Sequence, residues 1–331
     1  FRSNPRHGAH AEISGRGGKQ AAPYLLRAAA ECKLGAHEAE LADSLKVTEL
    51  APKDVASWTN LGDVYIEQKD MAKAGEAYEK AVELAPKNTA ALAGLGNLRL
   101  KSGLYSRALA SFEAAVAVSS SEVQGRLGRD KVYLYYGRYA EAAQDGEAML
   151  AENPRNINAY LLTGRAYMLQ GQFDKALQYA NDGLKLAPSD YWLLTARGET
   201  EHFMGKFIDA AADYDAALKI DPGSSRVLCR SGLNDVSLDD AQAATRDLGA
   251  AAAAMPPSDP DMGMYYLGCA ALAMAGKDNK AALDQLSKAL AAMTAEPELV
   301  IAPVVKKEIK GMFKPLAKSP DYKRLAKKYK F

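Results

Sequence analysis

The sequence predicts an all-α protein, a solenoid of antiparallel helix pairs. Three observations carry that expectation. Prolines recur every 34 residues, small residues hold fixed positions inside that period, and glycines stand midway, where each helix pair must turn.

The prolines set the register. Pro52, Pro86, Pro154, Pro188, Pro222 and Pro256 lie on steps of 34 residues, and only Ser120 breaks the series. Placing each proline at position 32 gives seven units: 21–54, 55–88, 89–122, 123–156, 157–190, 191–224 and 225–258. Position 20 then reads Glu40, Ala74, Ala108, Ala142, Ala176, Ala210 and Ala244. Position 8 reads Ala28, Gly62, Gly96, Asp130, Gly164, Gly198 and Gly232. Apolar residues recur at three and four, so each unit reads as two amphipathic helices. Small residues at positions 8 and 20 let the two backbones approach, and large ones at 4, 7, 11 and 24 fill the space around that contact. Gly35, Gly103, Gly137, Gly171 and Gly205 at position 15 break the helix with a left-handed cap. Proline at position 32 ends the second helix and begins the next unit. The unit at 123–156 departs from the pattern with Arg126, Arg129 and Asp130, and a looser joint is expected there.

The unit Trp58–Leu61–Gly62–Tyr65–Ala74–Tyr78–Ala81–Pro86 resembles the tetratricopeptide repeat, and the likeness holds in register across 21–258. A degenerate eighth unit is expected at 261–295, with Gly268, Gly276, Ala282 and Ala289 at its small positions. The resemblance implies a right-handed superhelical solenoid whose function is non-catalytic binding of other proteins. It also implies a concave face lined by positions 2, 5, 9, 12 and 13 of the first helices. In the first three units these are small or mixed, among them Ala22, Leu25, Ala56, Thr59, Ala90 and Asn97. In the middle units they include Lys131, Tyr135, Arg165, Met168, Trp192, Glu199, His202 and Phe203. Aromatics, Arg and Met are enriched at binding hot spots, so a client peptide is one expected occupant. The chaperone-binding subset of the family grips a terminal carboxylate with Lys, Asn and Arg. Here Leu25, Ala29, Ala90 and Gly94 stand in four of those positions and only Asn60 matches, which disfavours a co-chaperone role.

Little in the sequence points to catalysis. His7, His10, His37 and His202 form no H-E-x-x-H motif, and Cys32, Cys229 and Cys269 have no zinc spacing, reading instead as single packed thiols. Gly17-Gly18-Lys19 lacks the earlier glycine and the following Ser or Thr of a phosphate loop. Asp209, Asp213 and Asp215 read as a solvated helix face. No enzyme activity, metal or cofactor is expected. Three cysteines are too few for a disulfide scaffold, and no apolar run is long enough to span a membrane.

The ends differ from the body. An arm at 1–20 carries Arg2, Arg6, Arg16 and Lys19 against Glu12, and residues 305–331 carry ten basic residues against Glu308 and Asp321. The formal net charge of +1 therefore leaves about −10 on residues 21–304. Within the tail (296–331), Ser319-Pro320-Asp321 is a helix start, after which Tyr322, Leu325, Ala326 and Tyr329 share one face. Val304–Met312 reads as a shorter helix before it. The tail admits three roles: a cap on the last repeat, a contact with the acidic body of another copy, or a contact with an anionic surface. Unlike, complementary ends favour self-association into a ring, filament or tube. Its candidate contacts are Arg2, Arg6, Arg16, Lys306, Lys307, Tyr322, Lys323, Arg324, Lys327 and Lys328. The expected partners are thus proteins, foremost other copies, and not a specific nucleic-acid sequence. A start at Phe1 instead of Met favours a processed, exported (extracellular or periplasmic) chain over a cytoplasmic one.

Overall fold

A computed structural model describes residues 16–255, 262–294 and 301–331. Eighteen α-helices and a 3₁₀ turn at Lys314–Leu316 are the elements among these residues. First helices α3 (Val55–Glu67), α5 (Thr89–Lys101), α7 (Val123–Tyr135), α9 (Ile157–Leu169), α11 (Tyr191–Phe203) and α13 (Ser225–Ser237) each span 13 residues. Second helices α2 (His37–Leu50), α4 (Met71–Leu84), α6 (Tyr105–Val118), α8 (Tyr139–Glu152), α10 (Phe173–Leu186), α12 (Phe207–Ile220) and α14 (Ala241–Ala254) each span 14. α15 (Met262–Ala275) and α16 (Asn279–Met293) form the eighth pair, and α17 (Pro303–Met312) and α18 (Pro320–Tyr329) form the tail. α1 (Arg16–Leu34) starts inside the segment expected as an arm and carries Pro23 within it. Arg2, Arg6 and Pro256 lie outside the described residues, and for Arg16 the description stops at the backbone.

The turn inside each pair follows from one backbone conformation. Gly35, Gly103, Gly137, Gly171 and Gly205 have φ between 72° and 79°. Where glycine is missing at this position, Lys69, Asp239 and Lys277 adopt the same region, at 61° to 62°. The next amide then reaches back to the helix, as Asp70 N–H does to the Tyr65 carbonyl and Gln172 N–H to the Tyr167 carbonyl, both at 2.9 Å. This closes the helix end in a Schellman motif. At position 34 a short polar side chain caps the following helix. Asp54, Asn88, Asn156, Asp190 and Ser224 each accept a backbone N–H of its first turn.

Close approach of the helices is visible at single atoms. Ala74, Ala108, Ala142, Ala176, Ala210 and Ala244 are all buried at the helix contact. The Tyr78 ring sits between Gly62 and Gly94, and the Phe112 ring between Gly96 and Gly128, where an added Cβ would overlap the ring. Leu248 sits likewise against Gly232 and Gly268.

Backbone contacts divide the chain into two compact units, with the boundary after Val132. It falls inside α7, the helix whose unit carries Arg126, Arg129 and Asp130. In the first unit, Leu61, Tyr65, Ala77, Tyr78, Leu95 and Leu98 form one core cluster. In the second, the tail is part of the core. Ile309, Phe313, Leu316 and Tyr322 are buried with Leu267, Leu286 and Leu290 of the eighth pair. Ser319 caps α18 by accepting the Tyr322 N–H at 3.1 Å, as its sequence implies.

Candidate protein-binding groove

Apart from Tyr135 at the end of α7, the sequence-derived groove residues of the second unit lie on α9 and α11, whose 13-residue length and glycine-capped ends turn positions 9, 12 and 13 to one face. Part of that face is covered by the chain's own α17. Val304 is buried with Tyr139 and Ala302, and Leu134, Leu169, Phe173, Phe203 and Val305 pack against them. Phe203 stacks on Phe173 with ring centroids 6.4 Å apart.

His202 is the polar centre of this contact. Asn234 of α13 donates Nδ2–H to the Phe207 carbonyl at 2.9 Å, which turns its Oδ1 toward the imidazole. His202 Nδ1 lies 2.9 Å from that oxygen, and Nε2 lies 2.7 Å from Glu308 Oε1 on α17. Both ring nitrogens face side-chain oxygens, an arrangement that suits the doubly protonated ring. Burial alone would lower the His202 pKa, but the hydrogen bond and charge of Glu308, with Asn234 behind them, raise it above its usual value. Glu199 is paired with Arg230, both buried. Arg226 lies over the Trp192 ring at 5.3 Å, and Tyr191 meets the same indole edge-on at 4.9 Å.

Beside α17 the fold leaves a cavity of about 140 Å³. Arg165, Met168, Glu199, His202 and Phe203 line it together with Leu169, Tyr214, Arg230, Leu233, Met264, Val305 and Glu308. The fully buried Tyr214 hydroxyl is held well above its usual pKa, first by burial and then by the charges of Glu308, Glu201 and Asp213. Five of the eight expected groove residues thus converge on one cavity. Trp192 belongs to a smaller crevice with Arg165, Glu199 and Arg226. Tyr135 is exposed. Lys131 belongs to the first unit, where burial and then the charge of Lys101 lower its pKa to about 8.

Sequence reasoning missed Arg226, Arg230 and Asn234 on α13, and the role of Glu308. Arg226 stands at position 2 and was findable by extending the register to the seventh unit; Glu308 meets His202 across 106 residues and carries no local signal. Of the proposed tail contacts, Tyr322 is buried against Phe313, and Lys306 donates from Nζ to the Lys330 carbonyl at 2.9 Å. Lys307, Lys323, Arg324, Lys327 and Lys328 are exposed. In the first unit, ligand atoms of Cys32, Glu40 and Glu67 lie within 4.8 Å of one another, so Cys32 does not stand alone as its sequence setting suggests. Among the described residues no helix is long and apolar enough to cross a membrane.

Three family models, each described as tetratricopeptide repeat, match residues 55–88, 93–156 and 133–198. Residues 55–88 and 93–198 thus carry tetratricopeptide repeats. No curated protein matches the chain in sequence. Among solved structures it is similar to a tetratricopeptide repeat protein from Parabacteroides merdae, at 18% identity and a TM-score of 0.63, over 76% of this chain and 99% of that one. It is also similar to a chain of the APC/C hetero-tetramer Cut9–Hcn1, at 17% identity and a TM-score of 0.63, over 82% of this chain and 53% of that one. A third is PilW, a type IV pilus biogenesis factor, at 21% identity and a TM-score of 0.54, over 60% of this chain and 92% of that one. At these identities the likeness is one of fold.

Proposed function

We propose that the chain is a non-catalytic protein-interaction scaffold that associates with copies of itself, the basic tail of one meeting the acidic repeat surface of another. The observation that carries this reading is the segregation of charge. Lys307, Lys323, Arg324, Lys327 and Lys328 point outward from a tail whose apolar face is already buried, while residues 21–304 carry about −10. Helix-pair arrays present extended surfaces for protein contacts. Unlike surfaces at two places on one chain make heterologous contacts, which close into rings or propagate as filaments. Replacing Lys323, Arg324, Lys327 and Lys328 together by Glu tests it. The variant is expected to stay monomeric in light scattering under conditions where the parent assembles; equal assembly of both contradicts the reading.

A second reading is an adaptor that holds a client segment along the first helices. The cavity beside α17 and the exposed ring of Tyr135 favour it. Because α17 covers part of this face, such a client contacts α17 as well as α9 and α11. Tyr135→Ala combined with Trp192→Ala is expected to abolish capture of a client while leaving self-association unchanged.

A further inference from the structure

Three helices of the first unit bring metal-ligating side chains together. Cys32 lies near the end of α1, Glu40 in the first turn of α2 and Glu67 at the last residue of α3. One ligand atom of each lies within 4.8 Å of the other two. His37, at the start of α2, places Nδ1 3.7 Å from Glu40 Oε2. The backbone fixes this meeting. Gly35, at a φ of 72°, turns α2 back along α1. Gln68 Nε2 then donates to the His37 carbonyl at 2.9 Å, which ties the end of α3 to the start of α2. Glu40 is the exceptional residue. It stands at position 20, where the next six units hold alanine, and it is only 3% exposed. A buried carboxylate is costly unless it is paired or coordinates a metal. When ionised, Cys32, Glu40 and Glu67 offer one another only negative charge, and a shared dication compensates all three.

We propose that Cys32, Glu40 and Glu67 bind a zinc ion, with His37 Nδ1 as the fourth ligand. A thiolate and an imidazole among carboxylates select a borderline-soft ion over magnesium or calcium, which take oxygen ligands. Zinc bonds of about 2.0–2.3 Å set tetrahedral ligand atoms about 3.3–3.7 Å apart. From within 4.8 Å, each side chain closes that span by moving less than about 1 Å. The ligand is the thiolate, so binding releases the Cys32 thiol proton to solvent. Four protein ligands leave no open position, and the ion is structural: it clamps α1, α2 and α3 to one another. Because the ligands come from three helices, no short zinc spacing marks them in the sequence. The site is independent of the scaffold reading, since a single copy contains all of it.

Titration of the reduced, chelator-stripped full chain with cobalt(II) chloride and then zinc chloride tests the assignment. Cobalt is expected to give a near-ultraviolet thiolate-to-metal band that saturates at one equivalent, and zinc to displace it. Excess magnesium chloride is expected to leave the band in place. Cys32→Ser is expected to remove the band. Glu40→Ala is expected to weaken zinc binding about a hundredfold or more, since loss of even an outer-shell partner costs about 10–100-fold. Glu40→Ala installs the residue that the next six units carry at this position, so the fold is retained. His37→Ala is expected to keep the band and to weaken zinc binding about tenfold. A band that persists in Cys32→Ser, or zinc affinity unchanged in Glu40→Ala or His37→Ala, overturns the assignment. Absence of any band in the parent chain also overturns it and reduces the cluster to hydrogen-bonded side chains. A chain that assembles yet binds no zinc overturns this inference alone; one that binds zinc yet stays monomeric overturns only the scaffold reading.

Discussion

Tyr78 shows how this fold uses single residues. Its ring fills the gap between two helices because Gly62 and Gly94 leave that gap, and its hydroxyl donates to Asp63 Oδ1 at 2.5 Å. A methyl group at Gly62 would lie 2.8 Å from the ring, so Gly62→Ala is expected to cost about 2 kcal/mol by overpacking. Gly249, on the exposed side of α14, has nothing within 4 Å of the same added atom. Gly249→Ala is expected to stabilise by about 0.5–1 kcal/mol through helix propensity alone. Urea unfolding of both variants checks the pair of signs. Glu201 gives a pH-dependent test. Burial and then the charge of Asp213 raise its pKa from 4.5 to about 7. The folded chain therefore holds that proton more tightly than the unfolded chain. The penalty for ionising it is absent below 4.5, grows as pH rises, and is complete above about 7. Glu201→Gln is expected to match the parent near pH 4 and to exceed it by about 1 kcal/mol near pH 8, a figure reduced for solvent screening at a half-buried group. Thermal unfolding at the two pH values measures this, and an equal difference at both contradicts it.

At the scale of elements, the helix pairs were legible because their signals are local. Position 15 marked the turns, and Lys69 and Asp239 show that neighbouring units impose the left-handed conformation even without glycine. Position 34 carried a further signal, since Asp54, Asn88, Asn156, Asp190 and Ser224 are all good helix caps. α18 was legible from Ser319-Pro320-Asp321 for the same local reason. The docking of α17 was not. Its pattern shows an apolar face but not which surface covers that face, and its polar contact, Glu308 to His202, joins residues 106 apart. The candidate site was therefore half legible: the family resemblance assigned His202 and Phe203 to one face of the first helices, and tertiary structure supplied the segment that packs on them. The tail also carries stability. Phe313 is fully buried with Leu286 and Leu290, so Phe313→Ala is expected to cost about 3–5 kcal/mol. A tail that merely rested on the surface would lose less than about 1 kcal/mol, and denaturant melts separate the two outcomes.

For the molecule as a whole, the net charge of +1 conceals its distribution. In the proposed assembly the basic tail of one copy meets the acidic repeat body of another, and the tail's buried apolar face keeps its lysines outward. Such attraction between exposed charges is screened over a Debye length of about 10 Å at 0.1 M salt and about 3 Å at 1 M. Sedimentation velocity of the full chain at about 0.05 M and about 0.5 M salt tests the scaffold account most directly. It predicts assembled species at low salt that dissociate to the 35.5 kDa chain at high salt. A single monomeric boundary at both concentrations would contradict it.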